Sequence, residues 1–287
     1  MPLTRGRGLL SLPYVILCPS SNVHDLRLKS VANANYTQVF NQSDPNISTR
    51  FGFAEFTFNE AQVFANISYV DFVSLPISLT LHSTTAPNNP QHVAGLPPNG
   101  LDLIAAGLRA QTQKDGRRWS SLVVPRKNNA DQPLRILSPN SALLLNPGWF
   151  RDYWQPYIDR VWDSYRFKQL TVDTQAAFGE VDGQVRSSDG LFDFGPGGAF
   201  AKPSTADVFS CSTGPFATGA NAERNAIIPR LAAACNRSTL LLSQETPNGT
   251  RVAEYYTTPI TNVSSVYESC NVYHFANEDT ALLAHRA

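Results

Sequence analysis

Phe51-Gly-Phe-Ala-Glu-Phe-Thr-Phe-Asn59 and Ala65-Asn-Ile-Ser-Tyr-Val-Asp-Phe-Val73 are two runs that change character at every second residue. Period-two alternation marks a pleated strand with two unlike faces. In the first run Phe53, Glu55, Thr57 and Asn59 share one face, with Ala54, Phe56 and Phe58 on the other. In the second, Ile67, Tyr69 and Asp71 share a face. Residues 60–65 are about the right length for a hairpin loop. The simplest pairing then sets Glu55 opposite Asp71 and Thr57 opposite Tyr69, so that two carboxylates project from one face of adjacent strands.

Outward from this hairpin, residues 84–100 are rich in Pro, Asn and Gly and read as a boundary. Asn99 is placed to cap a helix that carries Leu103, Ile104 and Leu108 and runs to about Lys114. A second helix is expected from about Trp149 to Phe167. It would bury Trp154, Tyr157, Ile158, Val161, Trp162 and Tyr165, whose helical spacing makes them core rather than a sugar platform. The run 178–198 reads as strands and turns punctuated by Gly183, Gly190, Gly195, Gly197 and Gly198. It lacks the Gly-Lys-Ser/Thr ending of a phosphate loop. A third helical block spans 222–236. Strands, helices, Gly-rich strands and a further helix in that order suggest an α+β chain rather than alternating βαβ units.

Composition narrows the function. Only 16% of the 287 residues are charged and the formal net charge is zero, 23 cations against 23 anions. No cluster of Lys and Arg supplies the counterion displacement that nucleic-acid binding needs. A hydrophobic share of 42% excludes general disorder. Asn-X-Ser/Thr acceptors stand at Asn35, Asn41, Asn46, Asn66, Asn236, Asn248 and Asn262. That abundance favours a secreted, glycosylated chain, although Asn66, inside a strand, is a poor acceptor. Arg5 and Arg7 before the apolar run 8–18 loosely imitate a signal peptide, interrupted by Pro13. The run is too short to span a bilayer, and no membrane association is expected. Cys18, Cys211, Cys235 and Cys270 lack metal-ligand spacing, and a Cys211–Cys235 bridge is open in an oxidising compartment.

Chemistry points back to the hairpin. Glu55 and Asp71 stand 16 positions apart in Phe- and Tyr-rich strands of a charge-poor chain. Buried carboxylates are costly unless solvated or used. Paired Asp/Glu is what glycoside hydrolysis requires: one acid protonates the leaving oxygen while the other carboxylate activates water or attacks the anomeric carbon. Opposed strand residues have β-carbons about 5 Å apart. Diverging side chains would approach the roughly 6.5–9.5 Å of an inverting pair, converging ones the shorter separation of a retaining pair. Apolar neighbours such as Phe56 would keep one acid protonated near neutrality. Solvent-facing Glu and Asp are also ordinary on hairpins, so spacing alone does not make them a site. His24, His82, His92, His274 and His285 are scattered without metal spacing, and no Gly-X-Ser-X-Gly elbow occurs.

At this pair the sequence resembles glycoside hydrolase family 64, the thaumatin-like β-1,3-glucanases of laminaripentaose-producing type. The resemblance lies in Ser43-Asp-Pro-Asn46, the two runs quoted above with Leu75-Pro76, Leu134-Arg-Ile-Leu137, Tyr153-Trp-Gln-Pro-Tyr157 with Val161-Trp162, and Leu170-Thr-Val-Asp-Thr-Gln175. It continues through Lys202-Pro-Ser-Thr-Ala-Asp-Val-Phe209, Gly214-Pro-Phe216, Ile228-Pro-Arg-Leu-Ala-Ala-Ala234 and Asn236-Arg-Ser-Thr-Leu-Leu241, and covers roughly residues 40–260. It implies a mainly β fold with an α+β part: a thaumatin-like barrel or sandwich (1–83 and 168–202) packed on a mixed α/β domain (84–167 and 203–287), with a wide groove between them. It also implies inverting hydrolysis of linear β-1,3-glucan by a secreted monomer without cofactor or metal, Glu55 matching the general acid and Asp71 the general base. Thr57, Asn59, Phe64 and Ser68 match sugar-contacting positions. Phe64 stands where the family often has a tryptophan platform, and simple alternation puts Ser68 on the face away from Asp71. Relative to the family the ends look short, as in a shortened fungal-type member, with Val266-Tyr-Glu268 and Tyr273-His-Phe275 a faint echo of its closing run. The alternative from another class is a non-catalytic thaumatin-like protein that holds β-1,3-glucan.

Overall fold

The structure, a computed structural model, describes residues 15–17, 47–58, 63–82, 90–241, 245–246 and 249–251. The chain divides into two compact units, Met1–Leu137 and Ser138–Ala287.

In the first unit, strands β1 (Val15–Leu17), β2 (Gly52–Phe58) and β3 (Val63–Ser68) form an antiparallel sheet in that order. The short β4 (Phe72–Val73) leaves this sheet, and β5 (Leu79–Leu81) pairs with β6 (Gln91–Val93). Helix α1 (Gly100–Asp115) follows the predicted span. Asn99 occupies its N-cap position but makes no side-chain capping bond, and Gly116 closes it in the left-handed region at φ 70°. A 3-10 turn, Trp119–Leu122, leads into β7 (Val123–Arg126) and β8 (Asn129–Leu137), and the sheet order is β4-β8-β7. Phe51, Phe72 and Leu137 form a buried cluster to which Phe53 and Val124 add. The rings of Phe51, Phe53 and Phe72 meet edge to face at 5.1–5.5 Å between centroids.

The second unit opens with α2 (Pro139–Leu145), whose Ser138 cap accepts from the Ser141 amide at 3.1 Å. Helix α3 (Gln155–Ser164) is shorter than the predicted 149–167, and residues 149–154 are turns. Pro156 explains the late start, because proline fits only the first helical turn, where its missing N–H is not needed. All six predicted core residues, Trp154 through Tyr165, are buried. Strands β9 (Leu170–Asp173), β10 (Glu180–Val185), β11 (Phe192–Asp193) and β12 (Ala199–Phe200) are successive antiparallel neighbours. Helix α4 (Thr205–Ser210) begins with a Ser204/Asp207 capping box. Helix α5 (Ala222–Asn236) coincides with the predicted block and is buried from Ile227 onward. The hairpin of β13 (Glu245–Thr246) and β14 (Gly249–Arg251) completes a six-stranded sheet, β14 lying parallel to β9.

The organisation is therefore mixed α/β with small open sheets, and no sheet closes into a barrel among the described residues. Gly183 is not a turn residue as predicted: it lies inside β10 under the Phe194 ring. Cys211 and Cys235 are buried thiols rather than a bridge, and Cys211 Sγ donates to the Val208 carbonyl at 3.4 Å. Cys18 and Cys270 lie outside the described residues. Asn236, counted among the glycosylation acceptors, is buried and its amide donates to the Val208 carbonyl at 3.0 Å. No helix among the described residues is long and apolar enough to cross a membrane.

Candidate functional site

The β2–β3 ladder pairs Phe53 with Ser68, Glu55 with Asn66, Thr57 with Phe64 and Phe58 with Val63. This corrects the register expected from alternation. Glu55 faces Asn66, not Asp71, and the strands are joined by residues 59–62 rather than 60–65. Alternation fixes faces but not register, which depends on where the loop closes. Val63 and Phe64, both good strand formers, extend β3 toward the turn. The shift by an odd number of positions also exchanges the faces of β3 relative to β2. Phe64, Asn66 and Ser68 thus occupy the register positions that share a face with Glu55 and Thr57, which removes the conflict over Ser68. Asn59 lies outside the described residues.

Asp71 lies beyond the end of β3, exposed in a bend at residues 70–71. The segment after it is firmly held. Phe72 and Val73 pair with Leu137 and Ile136 of β8, Ser74 Oγ donates to the Leu134 carbonyl at 2.8 Å, and Arg50 Nη2 donates to the Ser74 carbonyl at 3.0 Å. After the bend the chain returns over the side of β2 that carries Phe51 and Phe53, since the Phe72 ring lies 5.5 Å from that of Phe53. Phe53 is one same-face step from Glu55 along β2, and Asp71 immediately precedes Phe72 in sequence, but Asp71 is not a cross-strand partner of Glu55.

Arg135 supports both approaches to this site. Its guanidinium is buried and donates from Nη2 to the carbonyls of Ile47 and Thr49, each at 2.8 Å. It also lies 5.0 Å from the Phe51 ring centre and 5.5 Å from that of Phe72. Burial pushes the Tyr69 hydroxyl above its ordinary pKa. In the sequence Asn66 reads only as a poor glycosylation acceptor inside a strand. Asn66 stands directly opposite Glu55, and its Oδ1 is buried with no hydrogen-bond partner among the described residues. No group of three or more His, Cys, Asp or Glu side chains among the described residues is arranged to hold a metal ion. His82 and His92 are exposed, and His24, His274 and His285 lie outside the described residues.

Comparison with known proteins bears on this geometry. Two curated relatives are glucan endo-1,3-β-glucosidases: one from Cellulosimicrobium cellulans is 28% identical over 235 residues, and one from Arthrobacter sp. (strain YCWD3) is 26% identical over 230. Each match covers 78% of this chain, which spans about 40% of the length of either relative. Among solved structures, a laminaripentaose-producing β-1,3-glucanase in complex with laminaritetraose aligns with a TM-score of 0.62 at 27% identity, over 78% of this chain and 59% of that one. A β-1,3-glucanase domain from Clostridium beijerinckii shares the fold with a TM-score of 0.52 at 23% identity, over 74% of this chain and 56% of its own. The sequence profile of one family runs through both units, matching residues 23–279, and the chain belongs to that family, the β-1,3-glucanases of glycoside hydrolase family 64.

Proposed function

We propose that this chain hydrolyses β-1,3-glucosidic bonds in linear β-1,3-glucan with Glu55 as general acid and Asp71 as general base. The observation that supports the reading is the Phe53–Phe72 ring contact: Phe53 stands one same-face step from Glu55 on β2, and Phe72 directly follows Asp71 in sequence. Family membership and the oligosaccharide bound by the laminaripentaose-producing relative support the substrate class. In the proposed step Glu55 transfers its proton to the glycosidic oxygen as the bond to the anomeric carbon breaks. Asp71 takes a proton from the water that attacks that carbon from the opposite face, giving inversion. Asp71 is exposed, so the attacking water can reach it in this reading. Thr57, Phe64 and Ser68 share the Glu55 face by register and, with Asn59, contact the sugars in this reading. The same reading makes the scaffold thaumatin-like and the protein secreted.

The test is reducing-sugar release from linear β-1,3-glucan, with Glu55→Gln as the comparison. Removing one of two cooperating carboxyl groups is expected to cost on the order of 10²–10⁴ in rate, while retention on insoluble glucan persists. Undiminished hydrolysis by the variant removes Glu55 from the acid role. Retention on glucan without release by the unaltered chain favours the binding-protein reading.

A further inference from the structure

The first unit contains a hollow of about 130 Å³ between the start of α1 and the β7–β8 ladder, lined by Arg50, Leu101, Asp102, Arg126 and Gln132 among others. Two guanidinium groups thus line one small space with a single carboxylate. The Nε of Arg126 is buried and has no hydrogen-bond partner among the described residues. Arg50 is anchored on one side by its 3.0 Å bond to the Ser74 carbonyl. Its pKa is lowered by burial and by the charge of Arg126, with Asp102 acting in the opposite sense. The first turn of α1 also borders the hollow; none of its amides donates to the Asn99 side chain, and the Gly100 amide donates to the Pro97 carbonyl at 2.8 Å. Like charges held together with a buried donor unanswered are the complement of an anion. A glucan hydroxyl accepts a hydrogen bond but brings no charge to offset two cations.

We propose that this hollow is an oxyanion site that accepts one carboxylate or phosphate group between Arg50 and Arg126. The volume corresponds to roughly four waters at about 30 Å³ each, room for one such group rather than for a saccharide chain. Asp102 opposes the ligand and sets the affinity low, which gives the site a signature of sign. Loss of a cation at Arg126 weakens binding, and loss of the anion at Asp102 strengthens it. A change of net charge alone has the same signs, so a charge-matched substitution elsewhere is needed to separate the two.

Isothermal titration of the full chain at low ionic strength, once with inorganic phosphate and once with acetate, tests the site. Saturable 1:1 binding of either ion is expected, with the tighter of the two identifying the kind of group accepted. Arg126→Met is expected to weaken it at least about tenfold, the loss of one charge-assisted bond. Asp102→Asn is expected to tighten it several-fold. Arg109→Gln, at an exposed α1 position two turns (about 10 Å) from Asp102 and not lining the hollow, carries the same loss of charge and should weaken binding much less. The site is disproved by absence of saturable binding of both ions, by unchanged binding in Arg126→Met, or by an equal loss in Arg109→Gln. Thermal unfolding checks that Arg126→Met is folded. If it is not, Asp102→Asn decides alone, and unchanged or weaker binding there overturns the proposal.

Discussion

Arg135 shows how a single side chain organises the approach to the candidate site. It is 1% exposed, and through the Ile47 and Thr49 carbonyls and the Phe51 and Phe72 rings it fixes both the entry to β2 and the start of β4. Replacing it with methionine keeps much of the volume but leaves two carbonyls unanswered, each costing about 1–3 kcal/mol if it stays dry. Arg135→Met is therefore expected to lose about 2–5 kcal/mol in urea unfolding. Arg135→Lys should recover only part, because an ammonium lacks the planar face that stacks on the two rings. Unchanged stability in Arg135→Met would mean that water replaces the guanidinium at both carbonyls. Neither the burial nor the partners of Arg135 are legible in the sequence, where an arginine between Leu134 and Ile136 reads as the outward residue of an alternating strand. Glu55 and Asp71 stand out as candidates for the opposite reason: carboxylates are sparse here and conspicuous in aromatic strands. What the local pattern could not express is that Asp71 lies in a bend beyond β3 rather than on a ladder rung opposite Glu55.

Elements were legible where composition dictates them and less so where packing does. Helix α5 matches the expected block because Asn221 caps it and residues 226–235 are apolar apart from Arg230. Helix α3 was over-extended because its aromatic periodicity continues on both sides, whereas Pro156 and the turns before it set the true start. In the β2–β3 hairpin the faces of β2 followed from alternation, but the register depended on loop closure. Gly183 is a case where packing decides. It reads as punctuation, yet it lies in β10 paired with Leu170, where a Cβ would meet the Phe194 ring at 2.4–2.6 Å. That ring is itself stacked on Phe192 at 4.9 Å and set edge-on to Phe200 at 5.5 Å, so it has little room to retreat. Gly183→Ala is accordingly expected to cost about 1–3 kcal/mol through overpacking. A chain of this size should then lose roughly 2–4 °C in midpoint per kcal/mol in thermal unfolding. A melting temperature equal to that of the parent chain would show that the ring can move aside freely.

At the scale of the whole molecule, the two units meet in sequence between β8 and α2, where Ser138 caps a helix directly and no Gly- or Ser-rich linker intervenes. The mixed α/β organisation was legible from the order of strand-like and helix-like runs. The division at Leu137–Ser138 was not, because it falls between two regular elements and leaves no mark in composition. Charge is the property of the whole chain that the sequence does determine. With 23 cationic and 23 anionic side chains the molecule has no net repulsion between copies at pH 7, and a protein near zero net charge tends to associate. Between about pH 7 and 9 few side chains titrate, so the charge stays close to zero. Lowering the pH from 7 makes the net charge increasingly positive, as ordinary His and then Asp and Glu values imply for this composition. Light scattering of the chain at low ionic strength is therefore expected to show its strongest attraction between copies from about pH 7 to 9. Attraction should give way to repulsion by about pH 5, provided that far-UV circular dichroism confirms the fold is kept. Attraction that persists unchanged at pH 5 would place the cause in exposed apolar side chains such as Leu103, Leu144 and Phe167, which do not titrate.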